Sequence, residues 1–194
     1  MKTQGSLPGI EAAPRSRDGL FFAVFPDQDA ARRIEQRARR LRADHALVDE
    51  PLRTERLHVT LQSLGRYPVL PKDLVVLARL AAARVAMRPF DVEFNMVGSF
   101  SRTTTRRPFV LLGDDHLVCL HMLRDKLVEA LYEVGVIRVK NAPYTPHMTL
   151  LYDHPKVEKQ AIEPVAWSVR EFILVHSLLG QTRHVPLGRW PLLL

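Results

Sequence analysis

The sequence predicts an α+β fold built as two similar lobes, and three observations carry that prediction. Helical and strand-like stretches intermix along most of the chain, in the coarse order β-α-β-α-β-β-α-β-β. The C-terminal end is then a run of strands with no helix between them, which a doubly wound parallel sheet does not produce. Third, one short pattern occurs twice, as Leu57-His58-Val59-Thr60-Leu61 and as Pro146-His147-Met148-Thr149-Leu150. Each copy lies in a strand-like run with a helical stretch before it, which suggests two lobes facing each other in a pseudo-two-fold arrangement. At 194 residues the chain suits one domain of this kind.

Residues 1–19 mix Gly, Pro, Ser and charges without periodicity and are expected to be a flexible tail, leaving 20–194 as a single bilobal domain with one His-x-Thr motif per lobe. Leu20 to Phe25 is a short apolar run that suits a buried strand, ended by Pro26 and Asp27. Asp27 can cap the following helix, 28–43, in which Ala30, Ile34, Ala38 and Leu41 recur at helical spacing. Its other faces carry Arg32, Arg33, Arg37, Arg39, Arg40 and Arg42, which read either as an ordinary solvated face or as a landing surface for a phosphate backbone.

A polar connection leads to the first motif strand, Glu55 to Leu61, and Ser63 to Pro68 then has turn composition. A second helix starts near Pro71 and Lys72, with Leu74, Leu77, Ala78, Ala81 and Val85 on one face. Asp91 to Met96 alternates as a half-buried strand, and the Thr- and Arg-rich stretch 101–107 links it to the next, Phe109 to Leu112. A third helix, 115–134, aligns Leu117, Leu120, Leu127, Leu131 and Val134 and closes at Gly135. Val136 to Val139 is expected as a short strand, the second motif strand ends near Tyr152 and Asp153, and 154–164 is another polar connection. The closing strands run through Trp167–Val169, Phe172–Leu179 and Val185–Trp190.

With 46% apolar and 25% charged residues, the chain can build a proper core. Its 28 Lys plus Arg against 21 Asp plus Glu leave a formal net charge of +7, a balance that attracts polyanions such as nucleic acid. The one cysteine, Cys119, allows no internal disulfide and reads as a small buried hydrophobe. No stretch approaches the length of a membrane span, and the N-terminus lacks the apolar core of a secretory signal, so a cytoplasmic protein is expected.

In each motif, side-chain alternation puts the His and Thr on one face, roughly 7 Å apart at Cα, and the apolar residues on the other. If the fold brings the copies together, one cleft holds two imidazoles and two hydroxyls. Two histidines held in opposite protonation states can act as paired base and acid on a phosphodiester, and the Thr hydroxyls can donate to its non-bridging oxygens. A lone His in a strand is usually just a satisfied half-buried residue; it is the duplication that favours catalysis. Rival chemistries lack their motifs: there is no His-Glu-x-x-His or Cys-x-x-Cys, no Gly-rich loop ending in Lys-Ser or Lys-Thr, and no Gly-x-Ser-x-Gly.

His58-Val59-Thr60-Leu61 and His147-Met148-Thr149-Leu150 resemble the paired motifs of the two-histidine (2H) phosphoesterases, in the bacterial and archaeal 2′-5′ RNA ligase-like (LigT-like) branch. Leu20 to Pro26, Leu57 to Gly65 and Trp167 to Ser177 are similar to further stretches of that family. The resemblance implies two antiparallel sheets in a V, helices outside, and the motifs lining the cleft. It implies cofactor-free, metal-independent opening of RNA 2′,3′-cyclic phosphates to 2′-phosphates, with reversible 2′-5′ ligation in some members. By that analogy His147 activates water, His58 protonates the departing 3′ oxygen, and Thr60 and Thr149 hold the phosphate. The expected partner is RNA or a nucleotide ending in a 2′,3′-cyclic phosphate, the expected state a monomer.

Two positions depart from the family pattern. Gln62 stands where many relatives carry an aromatic residue, and Tyr152 where some carry an Arg, so Tyr152, Arg66 and Arg106 are further substrate-binding candidates. Two alternatives stay open: a phosphodiesterase for small cyclic nucleotides or 2′-5′-linked oligonucleotides, and a non-catalytic RNA-binding protein with a vestigial cleft.

Overall fold

The structure, a computed structural model, describes residues 18–100, 106–114 and 117–193. The expected tail therefore lies outside the described residues except for its last two positions, which already belong to a strand. In chain order the elements are β1 (Asp18–Val24), α1 (Gln28–Asp44), a single 3-10 turn (Thr54–Arg56), β2 (Val59–Tyr67), α2 (Lys72–Ala82), β3 (Phe90–Ser99), β4 (Arg107–Leu112), α3 (Val118–Glu133), β5 (His147–Asp153), β6 (Gln160–Val169), β7 (Glu171–Leu178) and β8 (Arg183–Pro191). This is the expected α+β class. No helix among the described residues is long and apolar enough to cross a membrane.

All eight strands join one antiparallel sheet in the order β6-β3-β4-β5-β2-β1-β7-β8. It divides at its centre. β5 and β2 are joined at one register pair, Val59 with Met148, whereas every other neighbouring pair shares at least four. The two sheets expected are thus two four-stranded halves hinged on the motif strands. The sheet cannot be flat: β6 and β7 lie six places apart in the order yet are linked by Arg170 alone. Six strand spacings come to about 29 Å, whereas one linking residue reaches about 7 Å. The halves must therefore fold back toward each other, with β6 and β8 left as edges.

The pseudo-two-fold shows in the connectivity. β1-α1-β2 and β4-α3-β5 are each a strand, a helix and an antiparallel motif strand paired to the first. α1 also packs on strands of the opposite half, with Arg33 donating to the Ala166 carbonyl (3.1 Å) and Arg37 pairing with Glu163 (2.7 Å). One continuous core cluster, including Phe22, Phe94, Phe109, Phe172 and Leu127, runs through both halves. Asp27 caps α1 as expected, accepting from the Ala30 N–H at 2.8 Å. Gly135 ends α3 with φ +76°, the left-handed conformation a C-terminal glycine permits.

Several boundaries differ from the sequence reading. The first motif strand starts at Val59 and runs on to Tyr67 through the stretch that reads as a turn. Pairing with β1 along Asp18–Val24 overrides the low strand propensity of Ser63 and Gly65. Part of the polar connection 154–164 is likewise strand, because β6 pairs with β3 from Gln160 onward. Val136 to Val139 forms no strand: the chain turns there without a partner strand. Cys119 is only half-buried. Residues 101–105 of the Thr- and Arg-rich stretch lie outside the described residues.

Candidate active site

The hinge between the two half-sheets is also where the motifs meet. With Val59 opposite Met148 in an antiparallel pair, the register places Thr149 across from His58 and Thr60 across from His147. The four side chains share one face, with the two histidines diagonal neighbours, a relation that sets Cα atoms about 7–8 Å apart. Val59, Leu61, Met148 and Leu150, on the other face, are at most 2% exposed, while both His and both Thr are half-buried. Burial of the apolar edge pins the register, since a one-residue slip of either strand would turn its own His and Thr into the core.

Both strands carry the same irregularity at the same motif position. The β1–β2 register passes from Ala23–Thr60 to Phe22–Gln62, skipping Leu61, and the β4–β5 register passes from Val110–Thr149 to Phe109–Leu151, skipping Leu150. A bulge of this kind inverts the side-chain phase beyond it. As a result Tyr152, paired with Pro108, shares the face of His147 and Thr149, and Ser63, paired with Phe21, is its counterpart after the first motif.

Each imidazole is oriented from its own strand. His58 Nδ1 lies 2.6 Å from the Arg56 carbonyl, and His147 Nδ1 lies 2.8 Å from the Thr145 carbonyl, two residues back in both cases. A carbonyl can only accept, so Nδ1 carries the hydrogen and Nε2 is the nitrogen that takes up and releases a proton. The ring surroundings differ. His58 stacks on Phe21 (centroids 5.0 Å), lies against Phe25 (5.6 Å) and meets the edge of His184 (5.2 Å). His147 meets Phe100 edge to face at 4.7 Å. Burial pushes the His58 pKa down to about 4, against the pull of its hydrogen bond to Arg56; the charges of His184, Arg56 and His147 push it down further. Burial, then the Arg56 charge, lowers His184 as well.

Two cavities lie nearby, one bordered by the Phe25 and His184 that contact the His58 ring and one lined by His147 itself. The first, of about 640 Å³, is bounded by Phe25, Ile173, Val175, His184 and Arg170. The other, of about 560 Å³, is lined by His147, Thr60, Ser63, Phe100, Tyr144 and Arg124. Both are of a size that takes a nucleoside.

The remaining candidates divide. Tyr152 is on the right face and 42% exposed. Arg106 lies close by, donating to the Tyr152 carbonyl at 3.3 Å, with its guanidinium paired to Asp49. Arg66 is exposed near the far end of β2, seven positions from Val59. The sequence reading missed Phe21, Phe25, Phe100, Tyr144, His184 and Arg124. For most of these no sequence signal exists, because they come from elements distant in the chain. Arg124 does have one: it stands four residues after Leu120 and three before Leu127, a charged side chain in an apolar stripe.

The comparisons with known proteins agree with this fold. The model of the 2′-5′ RNA ligase superfamily matches residues 25–181. Apo LigT of E. coli superposes with a TM-score of 0.68 at 28% identity, covering 91% of this chain and 98% of that one. E. coli LigT complexed with 3′-AMP gives 0.65 at 29% identity, covering 90% and 98%. TT0787 of Thermus thermophilus, at 23% identity with a TM-score of 0.67 over 90% and 97% of the two chains, shares the fold. No curated protein matches. With the model spanning most of the chain, the protein belongs to the 2′-5′ RNA ligase superfamily, as a LigT-like two-histidine phosphoesterase.

Proposed function

We propose that the protein is an RNA 2′,3′-cyclic phosphodiesterase that opens the cyclic phosphate to a 2′-phosphate by paired histidine acid–base catalysis without a metal. The observation that carries the reading is the matched pair of Nδ1 hydrogen bonds, which assigns both histidines the same tautomer beside two threonine hydroxyls. In the reaction, water attacks phosphorus and loses a proton to one Nε2. The P–O3′ bond breaks, and the other Nε2, protonated, delivers its proton to O3′. Thr60 and Thr149 donate to the non-bridging oxygens as charge grows there. With a 5′-hydroxyl in place of water, the same step forms a 2′-5′ linkage, and its reverse breaks one. That E. coli LigT is found complexed with 3′-AMP and with ATP supports a nucleotide in the cleft. On this reading the enzyme is a cytoplasmic monomer, with Tyr152 and Arg106 at the edge of the substrate path.

The environment of His58 supports a division of labour opposite to the one the resemblance implies. A histidine whose pKa lies near 4 is neutral at pH 7, with its Nε2 lone pair ready to accept. His58 is then the base and His147 the acid. Incubation of the protein with a 2′,3′-cyclic nucleotide in EDTA should yield the 2′-phosphate and no 3′-phosphate. Retained turnover by a folded His58→Ala, His147→Ala double variant would end the proposal.

A further inference from the structure

Arg124 is a cation where the packing calls for a leucine. It sits on α3 between Leu120 and Leu127, both fully buried, and is itself only 7% exposed. Its guanidinium donates to the Ala142 carbonyl at 3.0 Å and lies over the Tyr144 ring, 5.0 Å from the centroid. Its carboxylate neighbour Asp125 is at 3.4 Å, and that side chain is 67% exposed. Arg124 Nε is buried with no hydrogen-bond partner among the described residues, and so is the Tyr144 hydroxyl. A buried guanidinium facing a mostly solvated carboxylate carries a desolvation cost that its own chain does not offset.

Both residues line the 560 Å³ cavity that also holds His147, Thr60 and Ser63, with the unpartnered Nε and hydroxyl buried behind its surface. An arginine offers donors and no acceptor, and burial pushes the Tyr144 pKa up, so its hydroxyl keeps its proton and can donate. A guanidinium and a hydroxyl donor in the wall of a nucleotide-sized cavity suit a phosphate dianion or diester. The histidines and threonines already account for the reacting phosphate. The other phosphate a terminal nucleotide carries is the one on its 5′ oxygen.

We infer that Arg124 and Tyr144 form a second phosphate subsite, which holds the 5′-phosphate of the nucleotide whose cyclic phosphate is opened. The inference rests on the cyclic phosphodiesterase reading for its placement of the substrate. It makes the enzyme selective for cyclic-phosphate ends that continue into a chain, or carry a 5′-phosphate, over bare nucleoside cyclic phosphates.

The test compares kcat/KM for adenosine 2′,3′-cyclic phosphate with a free 5′-hydroxyl and for the same compound carrying a 5′-phosphate. The wild type should favour the second at least tenfold, and Arg124→Gln and Tyr144→Phe should each cut that ratio several-fold. A wild-type ratio near one overturns the inference. So does a variant that slows both substrates equally, because a mere brace for the 142–145 segment predicts that. Should Arg124→Gln fail to fold by circular dichroism, Tyr144→Phe, which removes one oxygen, decides. Calorimetric binding of the two compounds to the His58→Ala, His147→Ala protein gives a readout without turnover. A tenfold preference there, with no turnover by the wild type, keeps the subsite and rejects the cyclic phosphodiesterase reading; turnover without preference does the reverse.

Discussion

His58 is held neutral by apolar contact, and this has consequences for both rate and stability. If it is the base, the acid limb of the kcat/KM profile should fall near pH 4 rather than near the ordinary 6.5 of an imidazole. Phe21→Ala, which removes the stacked ring and admits water, should move that limb upward toward 6.5, read from pH–rate profiles of the two proteins. The same residue makes folding pH-dependent. Because the folded pKa is the lower one, the unfolded chain binds the proton first. Stability is then intact above about pH 6.5 and is lost as pH falls toward 4, by on the order of 3 kcal/mol. Denaturant melts at pH 7 and pH 4 should show that loss in the wild type and a smaller one in His58→Gln.

At the scale of the element, two devices hold β2 and β5 in shape. In β2 the register skips again at Leu64, and Gly65 follows with φ +125°, a conformation other residues avoid. A Cβ there would also lie 2.8 Å from the Tyr67 hydroxyl, which donates to the Leu64 carbonyl at 2.5 Å. Gly65→Ala should cost roughly 1–3 kcal/mol in urea melts. At the end of β5, Asp153 is 3% exposed and accepts from the N–H groups of Val48 (2.5 Å), Asp49 (3.1 Å) and His154 (2.7 Å). Burial pushes its carboxyl up, but the three hydrogen bonds together hold it below the usual 3.8. It ties the segment after α1 to the second motif strand. Asp153→Ala should cost about 2–4 kcal/mol by leaving those donors unpaired. The carboxylate's contribution is present above pH 3.8 and lost as pH falls below it.

For the molecule as a whole, the net charge of +7 overstates what α1 offers to a polyanion. Arg32 pairs with Asp29, Arg37 with Glu163, Arg39 with Glu35 and Arg42 with Glu50, so much of the basic face is matched by the chain's own carboxylates. The structure therefore favours a solvated face over a phosphate landing surface. An Arg32→Gln, Arg39→Gln variant should change KM for a cyclic-phosphate oligonucleotide by less than about twofold and leave its salt dependence as in the wild type. A marked loss of salt dependence would restore the helix as an RNA contact.

The sequence by itself determined the class of fold, the two catalytic candidates and the three helices with most of the strands between them, because these depend on local periodicity and on a repeated His-x-Thr-Leu pattern. Alternation alone puts His58 with Thr60, and His147 with Thr149, on the polar face of their strands. Where the elements end was less legible: Ser63, Gly65 and Gln160 enter strands only because β1 and β3 lie alongside. Tertiary structure alone decided that the motifs pair at Val59 and Met148, that a skipped leucine turns Tyr152 back to the site face, and that Phe21, Phe25 and His184 enclose His58. Those facts depend on contacts between residues up to 163 positions apart, as Phe21 and His184 are. No local pattern encodes such contacts; they exist only once the two half-sheets have folded toward each other.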